Sequence, residues 1–287
     1  VDKEIAEKVV HQTLSVSENQ VVEIRGDKNV IDFMEILAVE VEVAGGLPFI
    51  NVFSDEYIEN KCKYVPDKYL KRPPYVLKEL TERKNKIINI ISRDPQRTFK
   101  VTSGKLELFQ AAYRALEEEE DKKRIPNVQV AYPTKERSAF YGIEFGRYKK
   151  ILFDALNVDY LNLRAKGEKI VKLFNNGDKL QVKTANGTDI TMSIQGREAR
   201  LVDGIIDNED ISSGNYLESL PSGCIYILPV EGSANGKIVF EKTYLRGQLL
   251  ENLTFEFCNP HSGKNLRSNT NNYGKINQLG SFLITGN

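Results

Sequence analysis

The chain has 287 residues, 40% hydrophobic and 28% charged, with Lys+Arg and Asp+Glu equal at 40 each. That length holds one large domain or two smaller ones, and the charge balance removes the electrostatic case for a nucleic-acid partner, which needs a basic face. No apolar run reaches the roughly 18 to 20 residues of a bilayer span, and the opening VDKEIAEKVV lacks the basic-then-apolar order of a signal peptide, so the expectation is a cytoplasmic protein with no membrane partner.

In chain order, VVEI at 21–24 precedes the helix-like NVIDFMEILAVEVEV, and LPFINVF at 47–53 precedes a polar segment holding Tyr57, Tyr64 and Tyr69. KIINIIS at 86–92 is followed by GKLELFQAAYRALEEEE at 104–120, where Leu106, Phe109, Ala112, Tyr113 and Leu116 recur at helical spacing. VQVAYP at 128–133 leads into a stretch with Phe140, Ile143, Tyr148, Ile151 and Leu152. Four strand-then-helix units predict a mostly parallel, Rossmann-like sheet covered by helices, because parallel neighbours need a crossover connection.

The texture then changes. DYLNLRAKGEKIVKLFNNG reads as a connecting helix that stops at Asn175-Asn176-Gly177. Turn signals flank QVKTA, DITMSIQ alternates like a half-buried strand, and CIYILPV at 224–230, KIVFEKTYL at 237–245 and LLENLTFEF at 249–257 are strand-like. The predicted class is α/β, with an α/β domain over 1–160 followed by a β-rich domain over 161–287.

Candidates for chemistry are few. His11 and His261 are the only histidines, and His11 lies in a helix-like stretch without a nucleophile, which suits a structural or surface role. Thr102-Ser103-Gly104-Lys105 lacks the first glycine and the Lys-Ser/Thr ending of a Walker loop and reads as a helix N-cap. Asp207-Asn208-Glu209-Asp210 lacks the alternation of a calcium loop and reads as a solvated acidic loop. Cys62, Cys224 and Cys258 form an odd, widely spaced set, as expected of reduced thiols.

An ordered series of short motifs carries more weight. Tyr132-Pro133-Thr134, Asn186-Gly187-Thr188-Asp189, Gly196-Arg197, Asp203-Gly204, Gly214-Asn215, Leu220-Pro221-Ser222-Gly223, Pro229-Val230-Glu231 and Ser233-x-Asn235-Gly236 follow one another with fixed spacing. The series resembles the thermophilic metalloaminopeptidase family, of the aminopeptidase T and aminopeptidase S type. The resemblance implies a two-domain, cytoplasmic, usually dimeric peptidase whose β-rich domain holds two metal ions on glutamate, histidine and aspartate ligands. At the first glutamate position of that pattern stands Cys224. The second falls in Leu279-Gly280-Ser281-Phe282-Leu283-Ile284-Thr285-Gly286-Asn287, which puts Ser281 at the ligand position. The family's histidine and His-x-Asp ligands would fall beyond Asn287, so the β-rich domain is expected to be incomplete at its C-terminal end.

A bridged two-metal site is held by anionic oxygens that offset the repulsion between the cations. Serine is neutral, and a thiolate lacks the second oxygen and the proton-accepting role of a carboxylate. The expectation is therefore a degenerate homologue with no metal cofactor. It would serve as a peptide-binding or accessory protein, as a homodimer or paired with a related subunit. Two alternatives stay open. Cys224, Cys258 and His261 suit a single zinc ion, or another divalent metal, if their strands align. Alternatively the chain is a metal-dependent aminopeptidase, either as a shortened form of a longer peptidase or with a relocated site on Cys224, His261 and nearby acids, Glu231 and His261 being the catalytic candidates, although Glu231 also reads as a strand-end acid in a turn.

Overall fold

The computed structural model describes residues 1–92, 103–245, 248–257 and 267–268. The four apolar runs of the first half become β1 (Val21–Asp27), β2 (Leu47–Phe53), β3 (Lys86–Ile91) and β4 (Asn127–Ala131), with strands numbered in chain order. They pair in parallel in the order β2-β1-β3-β4, and β8 (Leu217–Leu220) adds a fifth parallel strand beside β4. The expected α/β class with a parallel sheet and helices is observed. The β8 strand is an addition that the sequence reading lacks.

The helix Ile31–Val43 buries Phe33, Met34, Leu37 and Val41 and packs on β1 and β2. Asp27 starts this segment by accepting from the Asn29 amide, as a helix-start acid should. On the other face the 20-residue helix Ser103–Lys122 collects the shorter helices Asp55–Tyr64, Asp67–Leu70 and Tyr75–Arg83. The N-terminal helical stretch is anchored by Ile5, Ala6, Val9 and Val10, all buried. His11 lies on that stretch, 2.6 Å from the carboxylate of buried Glu40.

The chain divides into two units. The first comprises Val1–Tyr160 and Asp203–Ser222, and the second Leu161–Val202 with the described residues from Gly223 onward. The β-rich segment predicted as continuous over 161–287 is thus interrupted, because residues 203–222 return to the first unit to supply β8. Within that return, Asp207 and Asp210 form a capping box on the short helix Asn208–Ser213, so these two acids of the predicted solvated loop accept from backbone amides at a helix start.

The second unit opens with the predicted connecting helix, Tyr160–Asn175 with its first residue in unit one. Its antiparallel sheet runs β12-β11-β10-β6-β5, built from β5 (Lys179–Lys183), β6 (Asp189–Ser193), β10 (Asn235–Leu245), β11 (Gln248–Phe257) and β12 (Arg267–Ser268). A separate ribbon pairs β7 (Arg200–Val202) with β9 (Cys224–Tyr226). The predicted strand 224–230 therefore ends early, at Tyr226, and Leu228 beyond it is exposed. Among the described residues no helix is long and apolar enough to cross a membrane.

Candidate functional site

Most of the motif series resolves into joints of the scaffold. Asn186-Gly187-Thr188-Asp189 closes the β5–β6 hairpin and fastens it to β10. The Thr188 hydroxyl accepts from the Val239 amide at 2.9 Å, and the Asn186 side-chain amide donates to the Val239 carbonyl at 3.0 Å. Ser233 accepts from the Ser193 amide at 3.0 Å and donates to the Val230 carbonyl at 2.6 Å, which ties the Pro229–Glu231 turn to the end of β6. Thr134 caps the helix Lys135–Tyr141 and donates to the Ser92 carbonyl at 2.9 Å. Each residue satisfies a backbone group that would otherwise be unpaired.

Cys224 belongs to the separate β7–β9 ribbon. It opens β9 in register with Val202, and it is exposed. Glu231 sits in the turn that follows β9, with 85% of its side chain exposed, in an ion pair with Arg197 of the Gly-Arg motif. Its own backbone amide and the Arg197 guanidinium hold its carboxyl below the ordinary value. Cys258, His261 and Ser281 lie outside the described residues, so the zinc reading on Cys224, Cys258 and His261 stays an expectation.

Among the described residues no group of three His, Cys, Asp or Glu side chains converges to hold a metal. A single exposed thiol at the expected carboxylate position does not supply the bridging oxygens that a two-metal centre needs, so these residues do not fit that group. The contrast between the thiols is testable. In a Cys258→Ser background, Cys224 is expected to react with a thiol reagent in the folded protein within minutes, whereas Cys62, 3% exposed, reacts only on unfolding. Equal rates for the two would contradict the placement.

A second polar constellation was not read from the sequence. Glu23 on β1 is 1% exposed and accepts from Arg25 (2.7 Å), Lys84 (2.7 Å) and the Asn51 amide (2.7 Å). Glu120, from the helix Ser103–Lys122, pairs with the same Arg25 and Lys84. Burial alone would raise the Glu23 carboxyl, but the adjoining guanidinium and ammonium groups outweigh it and hold the pKa at about 2. Two cations and two anions thus neutralise one another beneath the helix layer. The available signal was polar residues at matching positions in successive apolar strands, which strand-by-strand reading treats as solvent-facing alternation.

Comparison with known proteins places this geometry. A family model described as thermophilic metalloprotease (M29) matches residues 3–261. AmpT from Thermus thermophilus superimposes with a TM-score of 0.74 at 17% identity, over 97% of this chain and 73% of that one. A 2,5-dihydroxypyridine dioxygenase from Pseudomonas putida KT2440 gives a TM-score of 0.54 at 11% identity, over 96% and 70%. At these identities the likeness is one of fold. No curated protein matches the sequence.

Proposed function

The chain belongs to the thermophilic metalloprotease (M29) family, and from that premise we propose that it is a degenerate member, non-catalytic as a peptidase, that binds a peptide or protein partner. The observation that carries this reading is Cys224. Joints of the same unit have their hydrogen bonds, while the position at which the motif series expects the family's first carboxylate ligand is Cys224, an exposed thiol. A scaffold of this kind needs no metal to hold an extended chain, since strand edges supply backbone donors and acceptors. Pairing with a second copy or with an active related subunit, and a cytoplasmic setting, belong to the same reading.

Family membership also favours a rival: a metal-dependent aminopeptidase with a divergent site. One experiment separates them. Purified full-length chain, supplied in turn with zinc, cobalt and manganese, is expected to release no N-terminal residues from peptides above the metal-only rate, and elemental analysis is expected to show no stoichiometric metal. Metal-dependent release that Glu231→Gln or Cys224→Ala abolishes would establish the rival instead.

A further inference from the structure

The parallel sheet has a topological switch point. Its order β2-β1-β3-β4-β8 means that the chain leaves β1 toward β2 on one side and places β3 on the other. In open α/β sheets the crevice outside the carboxyl ends of the strands at this point is where small molecules bind, because the flanking connections diverge there. A cleft of about 930 Å³ lies at this place, between β1, β2 and β3 and the helices Asp55–Tyr64 and Ser103–Lys122. That volume is in the range of small-molecule sites.

The floor of the cleft is polar where a sheet packed under helices should be apolar. Asn51, Arg25 and Asn89 are register partners on β2, β1 and β3, so their side chains share one face, and all three line the cleft. Arg25 is committed to Glu23 and Glu120, and the Asn51 amide group donates to Glu23. Among the described residues the Asn89 side chain has no partner. Just past β3, Ser92 is 3% exposed, lines the same cleft, and its hydroxyl is buried with no hydrogen-bond partner. An unpaired buried hydroxyl is costly for an empty protein, and with the half-buried Asn89 amide on the same cleft it is the arrangement expected where a ligand completes the bonds.

The opposite wall is aromatic. Tyr57, Phe109 and Tyr113 line it, with the Lys61 ammonium 5.0 to 5.5 Å from the three ring centroids. The charges at the cleft balance: Lys61, over the aromatic wall, with Arg114 and Arg137 stands against Asp55, Glu59 and Glu117, and the charge of Arg25 is neutralised within its cluster. Balance disfavours a phosphorylated ligand, the ring wall favours a flat one, and Asn89 with Ser92 offers both donor and acceptor to its edge.

We propose that this cleft binds a neutral, planar heterocycle with an amide-like edge, a nucleobase presented as its nucleoside, with Asn89 and Ser92 reading the edge and the Tyr57, Phe109 and Tyr113 wall flanking the ring. The cleft is lined by residues of the first unit alone, whereas the proposed function rests on Cys224 in the second, so failure of the nucleoside site leaves the proposed function untouched. Adenosine, guanosine, cytidine and uridine are titrated separately into the full chain by calorimetry. At least one is expected to bind, and Asn89→Leu and the nearly isosteric Ser92→Ala are each expected to weaken it about tenfold or more, with thermal unfolding temperatures unlowered. Three results would overturn the proposal. The first is no heat with any nucleoside up to the solubility limit. The second is binding that both variants leave unchanged. The third is displacement of a bound nucleoside by a dipeptide such as Leu-Gly, which would assign the cleft to peptides.

Discussion

Replacing Lys84 by Met is expected to destabilise the α/β unit by about 3–5 kcal/mol in urea unfolding, the cost of leaving buried charge with too few partners. Lys84 is 5% exposed, and its ammonium is shared between Glu23 and Glu120. Without it, two buried carboxylates face one guanidinium, and one anion is left uncompensated in a low-dielectric site. Adding Glu23→Gln to the same chain restores neutrality, so the double variant is expected to lose less than the sum of the two single losses, with a coupling of about 1–3 kcal/mol. Additive losses would mean that the four side chains do not act as one cluster.

The same cluster sets an acid limit. Glu23 moves from its ordinary 4.5 to about 2 on folding. A carboxyl lowered in the folded state contributes stability that is complete above about pH 4.5 and is lost as pH falls through about 2, because the unfolded chain takes up the proton first. Unfolding free energy of the wild type should therefore fall across this window. In the Lys84→Met chain the fall should be shallower, since one of the cations holding Glu23 down is gone.

The second large effect is expected at Gly236, in the Ser-x-Asn-Gly motif. Its φ is +122°, and a Cβ there would lie 2.2 Å from the Asp189 carbonyl oxygen and 2.9 Å from the Ile190 Cα. Both neighbours are backbone atoms of β6, so no side-chain rotation relieves the clash, and β10 must separate from β6. Gly236→Ala should cost about 3 kcal/mol or more, at the top of the range for forced backbone conformations. Gly196→Ala is the control. Its φ is +68° with nothing within 4 Å of the added atom, so only the left-handed penalty of about 1–2 kcal/mol applies. Equal losses at the two sites would show that the close approach to Asp189 is not what demands glycine.

These two predictions mark what could and could not be read in the sequence. The four central strands were legible because each is an apolar run followed by a helical period, and parallel pairing follows from the crossovers. β8 was not, because Leu-Glu-Ser-Leu is short, and its pairing is fixed by its neighbour: Asn127 donates to the Tyr216 carbonyl just before the register with β4 begins. The motif series identified the scaffold because its glycines and hydroxyls answer to backbone geometry, as at Gly236, Thr188 and Ser233. For the same reason it reveals little chemistry. The Glu23 cluster and the Asn51, Arg25 and Asn89 row escaped altogether. Each residue is ordinary within its own strand, and only cross-strand register brings them together.

The split between the units has a consequence in time as well as in space. The sheet's fifth strand is encoded after residues 161–202, which belong to the other unit. A ribosome that has finished β4 must make all of that segment before β8 exists. Until then the outer side of β4 presents unpaired amides and carbonyls, the kind of edge that recruits foreign strands. Order of synthesis and order of assembly therefore differ for this protein. Cutting the gene after residue 160 would make that transient exposure permanent.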